Sequence, residues 1–234
     1  MLTIANRLKS ALDTIQDSAL KAGRNPQEIL LLAVSKTKPN QAIREAWNAG
    51  QRMFGENYVQ EGIQKIADLS DLEGIQWHMI GPLQSNKTKV VAEHFDWVQS
   101  VDRAKIAERL NEQRPEDLAP LQVCIQVNIS DEDSKSGLLP EEVMPLAETI
   151  SQLPRLNLRG LMAIPAATES EQEQRFAFTQ MQDLYHQLKQ KYPQVDTLSM
   201  GMSGDVDMAI ACGSTMVRIG TAIFGARDYP ASQG

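Results

Sequence analysis

The sequence predicts one α/β domain, an eight-stranded (β/α)8 barrel of the TIM type with an extra helix in front. Three observations lead there. Short apolar runs alternate with helical patterns throughout the 234 residues, as expected of parallel strands joined by helical crossovers. No Pro/Gly/Ser-rich linker divides the chain, and its length suits a single large α/β core spanning 1–234. Where strands alternate, one face is apolar and the other polar, which gives the strands a helix-facing side and an interior side.

The elements follow in order. Residues 2–23 form an amphipathic helix, with Leu8, Leu12 and Ile15 set among Arg7, Lys9 and Asp13, and could cap the barrel floor. The barrel is expected over about 28–226. Its first strand, 29–36, is the apolar run from Ile29 to Val34, and Pro39 stops it. Further strands are expected at 52–56, 75–81, 97–101, 121–129, 156–164, 197–203 and 216–225. Helices are expected at 41–48, 57–69, 86–94, 103–114, 140–151, 169–191 and 205–212. In the helix at 169–191, Met181, Leu184 and Leu188 make a core-facing stripe. In 121–129, Gln122, Cys124, Gln126 and Asn128 oppose the odd-numbered aliphatic residues; in 75–81, Gln76 and His78 oppose Trp77 and Met79. The polar sets are expected to point into the barrel.

A net charge of −7, with no run of more than two Lys/Arg, argues against a nucleic-acid or anionic-membrane surface. No apolar stretch approaches membrane-spanning length. Cys124 and Cys212 lack metal-ligand spacing and suit a reducing, cytoplasmic setting. A monomer is expected.

Candidate chemistry starts at Lys36. At the carboxyl end of a buried strand, with Lys38 near it, its ammonium form is disfavoured and the amine becomes nucleophilic, as a Schiff-base lysine requires. The alternative is a lysine that snorkels into water. Near the end of the barrel, Met200-Gly201-Met202-Ser203-Gly204-Asp205 enters a helix, and Val217-Arg218-Ile219-Gly220-Thr221 closes the last strand. These two Gly-hydroxyl turns fall where barrels commonly bind phosphate, after strands seven and eight. Arg218 shares the inward face of Gly220 and Met216. It either forms an internal salt bridge, with Glu56 as one candidate, or donates to an unprotonated heteroaromatic ring nitrogen.

Val34-Ser35-Lys36-Thr37-Lys38-Pro39, Phe54-Gly55-Glu56-Asn57-Tyr58, the run from Trp77 to Lys87, Ser134-Lys135-Ser136-Gly137, Met200–Asp205 and Arg218–Gly225 together resemble the pyridoxal-phosphate homeostasis proteins, a family related to the amino-terminal domain of alanine racemase. The matches span 30–225. The resemblance implies a fold-type III barrel that binds pyridoxal 5′-phosphate covalently as an aldimine on Lys36. It implies Ser203, Gly204, Gly220 and Thr221 as the phosphate cradle, Arg218 at the pyridine nitrogen and Asn57 near the ring hydroxyl. It further implies a non-catalytic role in cofactor and amino-acid homeostasis, with pyridoxal-phosphate-dependent apoenzymes as recipients. The family pattern carries a Gly near the first Asp of Asp131-Glu132-Asp133, which this chain lacks.

Other residues have modest roles in this reading. Lys135 follows three carboxylates, either as a solvated loop residue or as a second amine for cofactor transfer. His78 is read as an interior histidine, and Met200 and Met202 as core filler or contacts to a planar ring. Two rival functions stand beside the carrier. An amino-acid racemase needs a base on each face of the cofactor, and Lys36 supplies one. A nucleotide hydrolase is suggested by Gly81–Thr88, but Asn86 replaces the second Gly of a P-loop and Pro82 removes an amide from the nest.

Overall fold

The computed structural model describes residues 2–133 and 136–226. Eight parallel strands close into a barrel in chain order, β1 pairing with both β2 and β8. They are β1 (Leu30–Val34), β2 (Met53–Glu56), β3 (Gln76–Met79), β4 (Trp97–Val101), β5 (Leu121–Val127), β6 (Leu156–Ala163), β7 (Thr197–Ser199) and β8 (Met216–Ile219). The helices are α1 (Ile4–Lys21), α2 (Asn40–Asn48), α3 (Val59–Asp68), α4 (Thr88–His94), α5 (Ala104–Gln113), α6 (Val143–Ser151), α7 (Glu171–Lys191), α8 (Val206–Ala211) and α9 (Thr221–Phe224). All eight expected strands form.

Two boundaries differ for a backbone reason. The seventh strand stops at Ser199, not 203, because Gly201 takes a φ of +101° that no extended strand accepts. The eighth stops at Ile219, and Thr221–Phe224 turns into a short helix. In α7, Met181 and Leu188 are buried, Leu184 packs at the core's edge, and Phe178 and Tyr185 complete the stripe.

The extra helix does not cap the floor. It packs along the barrel's flank against α8, α9 and α2, burying Leu8, Ala11, Ile15 and Ala19. The four-residue α9 leaves that flank uncovered, and α1 supplies the missing apolar stripe. At its lower end Arg24 donates to the carbonyls of Ile210 and Ser214, tying the helix to the turn before β8.

Strand alternation sorts the core into two compartments. Phe54, Trp77, Val98, Val123, Ile125, Leu198 and Val217 join the large cluster between sheet and helices. Inside the barrel, Leu32, Ile80 and Met216 form one small cluster, and Trp97, Cys124 and Met162 another. Cys124 and His78 are fully buried on the interior side, as their strand patterns predict, whereas Gln76 lies exposed at the floor.

Four polar groups cross this interior as a hydrogen-bonded chain. Arg218 Nη1 donates to Ser199 Oγ at 2.6 Å, Ser199 Oγ to Gln99 Oε1 at 2.6 Å, and Gln99 Nε2 to His78 Nδ1 at 2.9 Å. An arginine has no acceptor, so each downstream direction is fixed and His78 is the neutral Nε2–H tautomer. His78 also stacks on Trp97 at 4.7 Å, and the Arg159 guanidinium covers the same indole at 4.6 Å. Burial first, and the nearby Arg159 charge second, push the His78 pKa down to about 3.

The unfolded chain therefore binds a proton at this residue near pH 6.5 that the folded protein refuses, and stability falls as the pH drops below that point. Between pH 7.5 and 5.0 the loss assigned to His78 is about 2 kcal/mol. Urea denaturation at both pH values should show the wild-type protein losing about that much more than His78→Gln. Equal losses would mean that His78 is charged in the folded state.

Candidate functional site

Closure of the barrel brings the two ends of the sequence together. In the β1–β8 ladder Leu32 faces Arg218 and Ala33 faces Ile219. One step further, a Cβ built on Gly220 would lie 3.1 Å from the Val34 carbonyl oxygen. Lys36 follows in the turn beyond β1, so it emerges beside Gly220 and Thr221.

A cavity of about 280 Å³ opens there, at the carboxyl ends of the strands, lined by Val34, Lys36, Asn57, Ile80, Ile164, Met202, Ser203, Gly204, Arg218, Gly220 and Thr221. All seven residues expected to contact a cofactor line this one space. Met202 is half-exposed at its wall, whereas Met200 is buried in the outer core.

The cavity is graded in polarity and exposure. Arg218 is buried at its base and fixed by Ser199 and by Ala163 O, which accepts from Nη2 at 2.8 Å. Burial lowers its pKa to about 10, against the opposing pull of Asp205, so it stays a cation at neutral pH. Val34, Ile80 and Ile164 form apolar walls. Ser203, Gly204 and Thr221 are exposed at the mouth, and Asp205 Oδ1 accepts the Met202 N–H at 2.6 Å to shape the turn between them. Asn57 Oδ1 is buried and has no hydrogen-bond partner among the described residues. A buried acceptor without a donor costs about 1–3 kcal/mol. Asn57 therefore reads as a group awaiting a ligand.

The salt bridge between Arg218 and Glu56 does not form. Glu56 ends β2 on the helix-facing side, where Lys65 of α3 meets its Oε1 at 2.7 Å. An even spacing from Met53 would have put Gly55, not Glu56, on the interior side. Lys38 is held at the rim, its Nζ donating to Gly225 O at 3.0 Å and Ala226 O at 2.7 Å. Lys135 and Ser134 lie outside the described residues. Asp131 adopts a φ of +50°, the left-handed conformation that a Gly near this position would take without cost, and one that Asp tolerates. The P-loop-like run lacks an available hydroxyl at its end: Thr88 is fully buried and bonded to Ser85 O and Gln113.

Ser199 and Gln99, which orient Arg218, were not marked by any motif. Strand alternation could have found Gln99, two residues after the inward-facing Trp97, and the β7–β8 register sets Ser199 opposite the inward-facing Met216.

With this geometry, the chain's relatives can be stated. The family model described as "Alanine racemase, N-terminal domain" matches residues 12–228. The pyridoxal phosphate homeostasis protein of Haemophilus influenzae is 59% identical over 236 residues, covering 99% of each chain. That of Escherichia coli K12 is 60% identical, covering 98% of this chain and 99% of the other. The chain belongs to the pyridoxal phosphate homeostasis protein family. Among solved structures, PipY of Synechococcus elongatus with PLP (pyridoxal phosphate) bound aligns with a TM-score of 0.81 at 41% identity, covering 95% of this chain and 100% of that one. Alanine racemase from Corynebacterium glutamicum aligns at 0.68 and 16% identity over 63% of its length, a likeness of fold alone.

Within this family barrel, the Asn57 turn depends on Gly81. A Cβ at Gly81 would lie 2.1 Å from Asn57 O, a backbone atom that cannot give way without moving the turn. Gly81→Ala should therefore cost about 1–3 kcal/mol in urea denaturation and shift the Asn57 amide resonance.

Proposed function

We propose that this chain holds pyridoxal 5′-phosphate in the Lys36 cavity and serves in the homeostasis of that cofactor as a carrier or regulator, handing it to apoenzymes. The observation that carries the reading is the meeting, in one cavity, of a lysine, a buried arginine cation, an unsatisfied amide oxygen and two Gly-hydroxyl turns. Two family features support it: relatives at about 60% identity are named for pyridoxal phosphate homeostasis, and PipY is described with PLP bound. The buried cysteines Cys124 and Cys212, both free, fit a reducing cytosol, and among the described residues no helix is long and apolar enough to cross a membrane.

The residues fit the cofactor group by group. Pyridoxal phosphate supplies an aldehyde, a ring nitrogen, a ring hydroxyl and a phosphate. Lys36, in its neutral form, would hold the cofactor by a covalent link to the aldehyde, the group that gives pyridoxal phosphate its reactivity toward amines. Arg218, fixed as a donor, would meet the ring nitrogen and keep it unprotonated. Asn57 Oδ1 would accept from the ring hydroxyl. The N–H groups and hydroxyls of Ser203, Gly204, Gly220 and Thr221 hold the phosphate; a Cβ on Gly204 would meet nothing within 4 Å, so open space remains for it.

The racemase reading finds no support in the lining. Among the described residues its titratable side chains are Lys36 and Arg218, and an arginine that stays charged at neutral pH is no second base. An unprotonated ring nitrogen also makes a weaker electron sink for carbanion chemistry.

Borohydride reduction of cofactor-loaded protein, followed by peptide mapping, tests the central claim. The pyridoxyl group should be found on Lys36, and Lys36→Ala should lose the link while remaining folded. A label on any other residue refutes the assignment.

Phosphate contacts are expected to contribute about 1.5–3 kcal/mol each. Thr221→Val should thus weaken pyridoxal phosphate binding roughly 10- to 150-fold and leave unphosphorylated pyridoxal nearly unaffected. Equal losses for the two ligands, measured by titration, would remove Thr221 from the cradle.

A further inference from the structure

The turn that carries Lys36 is strained. Thr37 sits at a φ of +63°, the left-handed region that a β-branched residue enters only when its surroundings impose it. The imposing groups lie behind the turn. Lys65 of α3 is almost fully buried, and its three N–H bonds are all committed at 2.7 Å, to Ser35 O, Glu56 Oε1 and Glu61 Oε1. Ser35 Oγ donates to the same Glu56 oxygen at 2.8 Å. Glu61 Oε1, bonded to Lys65, also accepts the Thr37 N–H at 2.5 Å, and Ser35 N–H reaches Gly55 O at 3.0 Å.

The residues on both sides of Lys36 are therefore pinned from β2 and α3: Ser35 through its N–H, hydroxyl and carbonyl, Thr37 through its N–H. One buried cation organises most of these bonds. A buried ion pair is poor value for stability alone, since its desolvation offsets most of the attraction. Its return here is directional: it holds a turn in a conformation the backbone disfavours. Such an arrangement is what an amine must have if it is to meet an aldehyde at a fixed place and angle.

We propose that Lys65 and Glu61 are positioning residues for Lys36, clamping the Ser35–Thr37 turn so that the Lys36 amine is aimed into the cavity. The inference rests on the cofactor reading above, and its test separates the two. Lys65→Met would strip Glu56 of its buried counter-charge and unfold the site, so the informative variant is Glu61→Ala. The Glu61 side chain is partly exposed, and its removal leaves the Lys65–Glu56 pair in place. Glu61→Gln is the conservative control, because its amide oxygen still accepts from Thr37 and Lys65.

Amide hydrogen exchange at Thr37, followed by NMR in cofactor-free protein, reads the clamp directly. Formation of the link with pyridoxal phosphate, followed by absorbance and trapped by borohydride at Lys36, reads its consequence. Competition by inorganic phosphate reports the cradle independently. In Glu61→Ala the exchange should quicken and link formation slow by about 10- to 100-fold, with phosphate competition unchanged and Glu61→Gln restoring near wild-type behaviour on both counts. Unchanged exchange at Thr37, or link formation as fast as in the wild type, overturns the inference. If the wild-type protein itself forms no link at Lys36, the cofactor reading fails, and unaltered Thr37 exchange in Glu61→Ala would still dismiss the clamp.

Discussion

Pairing of the first strand with the last is the constraint from which the cavity follows. The contact between Leu32 and Arg218 joins residues far apart in sequence, so it forms only when every intervening strand has found its neighbour. Because the barrel is closed, the register at this seam is inherited from the seven other pairings, and a slip anywhere would turn Arg218 from the interior to the helix layer. Lys36, Gly220 and Thr221 thus share a rim because the whole barrel closes in one register. Two irregularities, at β4–β5 and β5–β6, are absorbed on the far side of the barrel from that seam.

The buried arginine imposes a second requirement. A guanidinium in an apolar interior is tolerated only when its donors are met, and Ser199 and Ala163 O meet two of them. Because arginine can only donate, polarity then runs one way, through Ser199 and Gln99, to end on His78. The far end of the chain is an imidazole stacked on Trp97 and unable to take a proton near neutral pH. A histidine that accepted a proton there would bring a second cation into the same dry interior. Polar interior residues that the strand pattern marks only as inward-facing are, in the folded protein, one hydrogen-bonded unit that holds Arg218 still.

What was legible in the sequence divides along physical lines. Strand and helix order is written in local periodicity, so the eight strands, the interior placement of Cys124 and His78, and the grouping of the Gly-hydroxyl turns were readable. The errors arose where geometry depends on a partner distant in the chain. Glu56 looked like a mate for Arg218 because both are charged and near the same rim, yet β2 presents it to Lys65, and only the strand's phase could have decided this. Helix α1 was expected beneath the barrel because sequence does not disclose that α9 is too short to cover the flank. Nothing in the local sequence distinguishes Lys65 and Glu61 from an ordinary i, i+4 charge pair on a helix. The contact of both with the Lys36 turn is a tertiary fact. Asp131 shows the reverse: where the family pattern carries a Gly nearby, this residue takes the left-handed conformation that Gly favours.

The gradient across the cavity bears on what such a site can do. Its base is rigid, with Arg218 held by buried partners and the Ser35–Thr37 turn pinned from behind, whereas Met202, Ser203, Gly204 and Thr221 stand exposed at the mouth. Carbanion chemistry profits from a closed, water-excluding site in which fixed charges act at full strength. A mouth open to solvent sacrifices that strength. It gains access: a ligand held at the base can be reached from outside without the barrel unfolding. Rigidity where the ligand is oriented and exposure where it must leave are the opposing demands on a protein that holds a reactive aldehyde without consuming it, and the two ends of this cavity meet them separately.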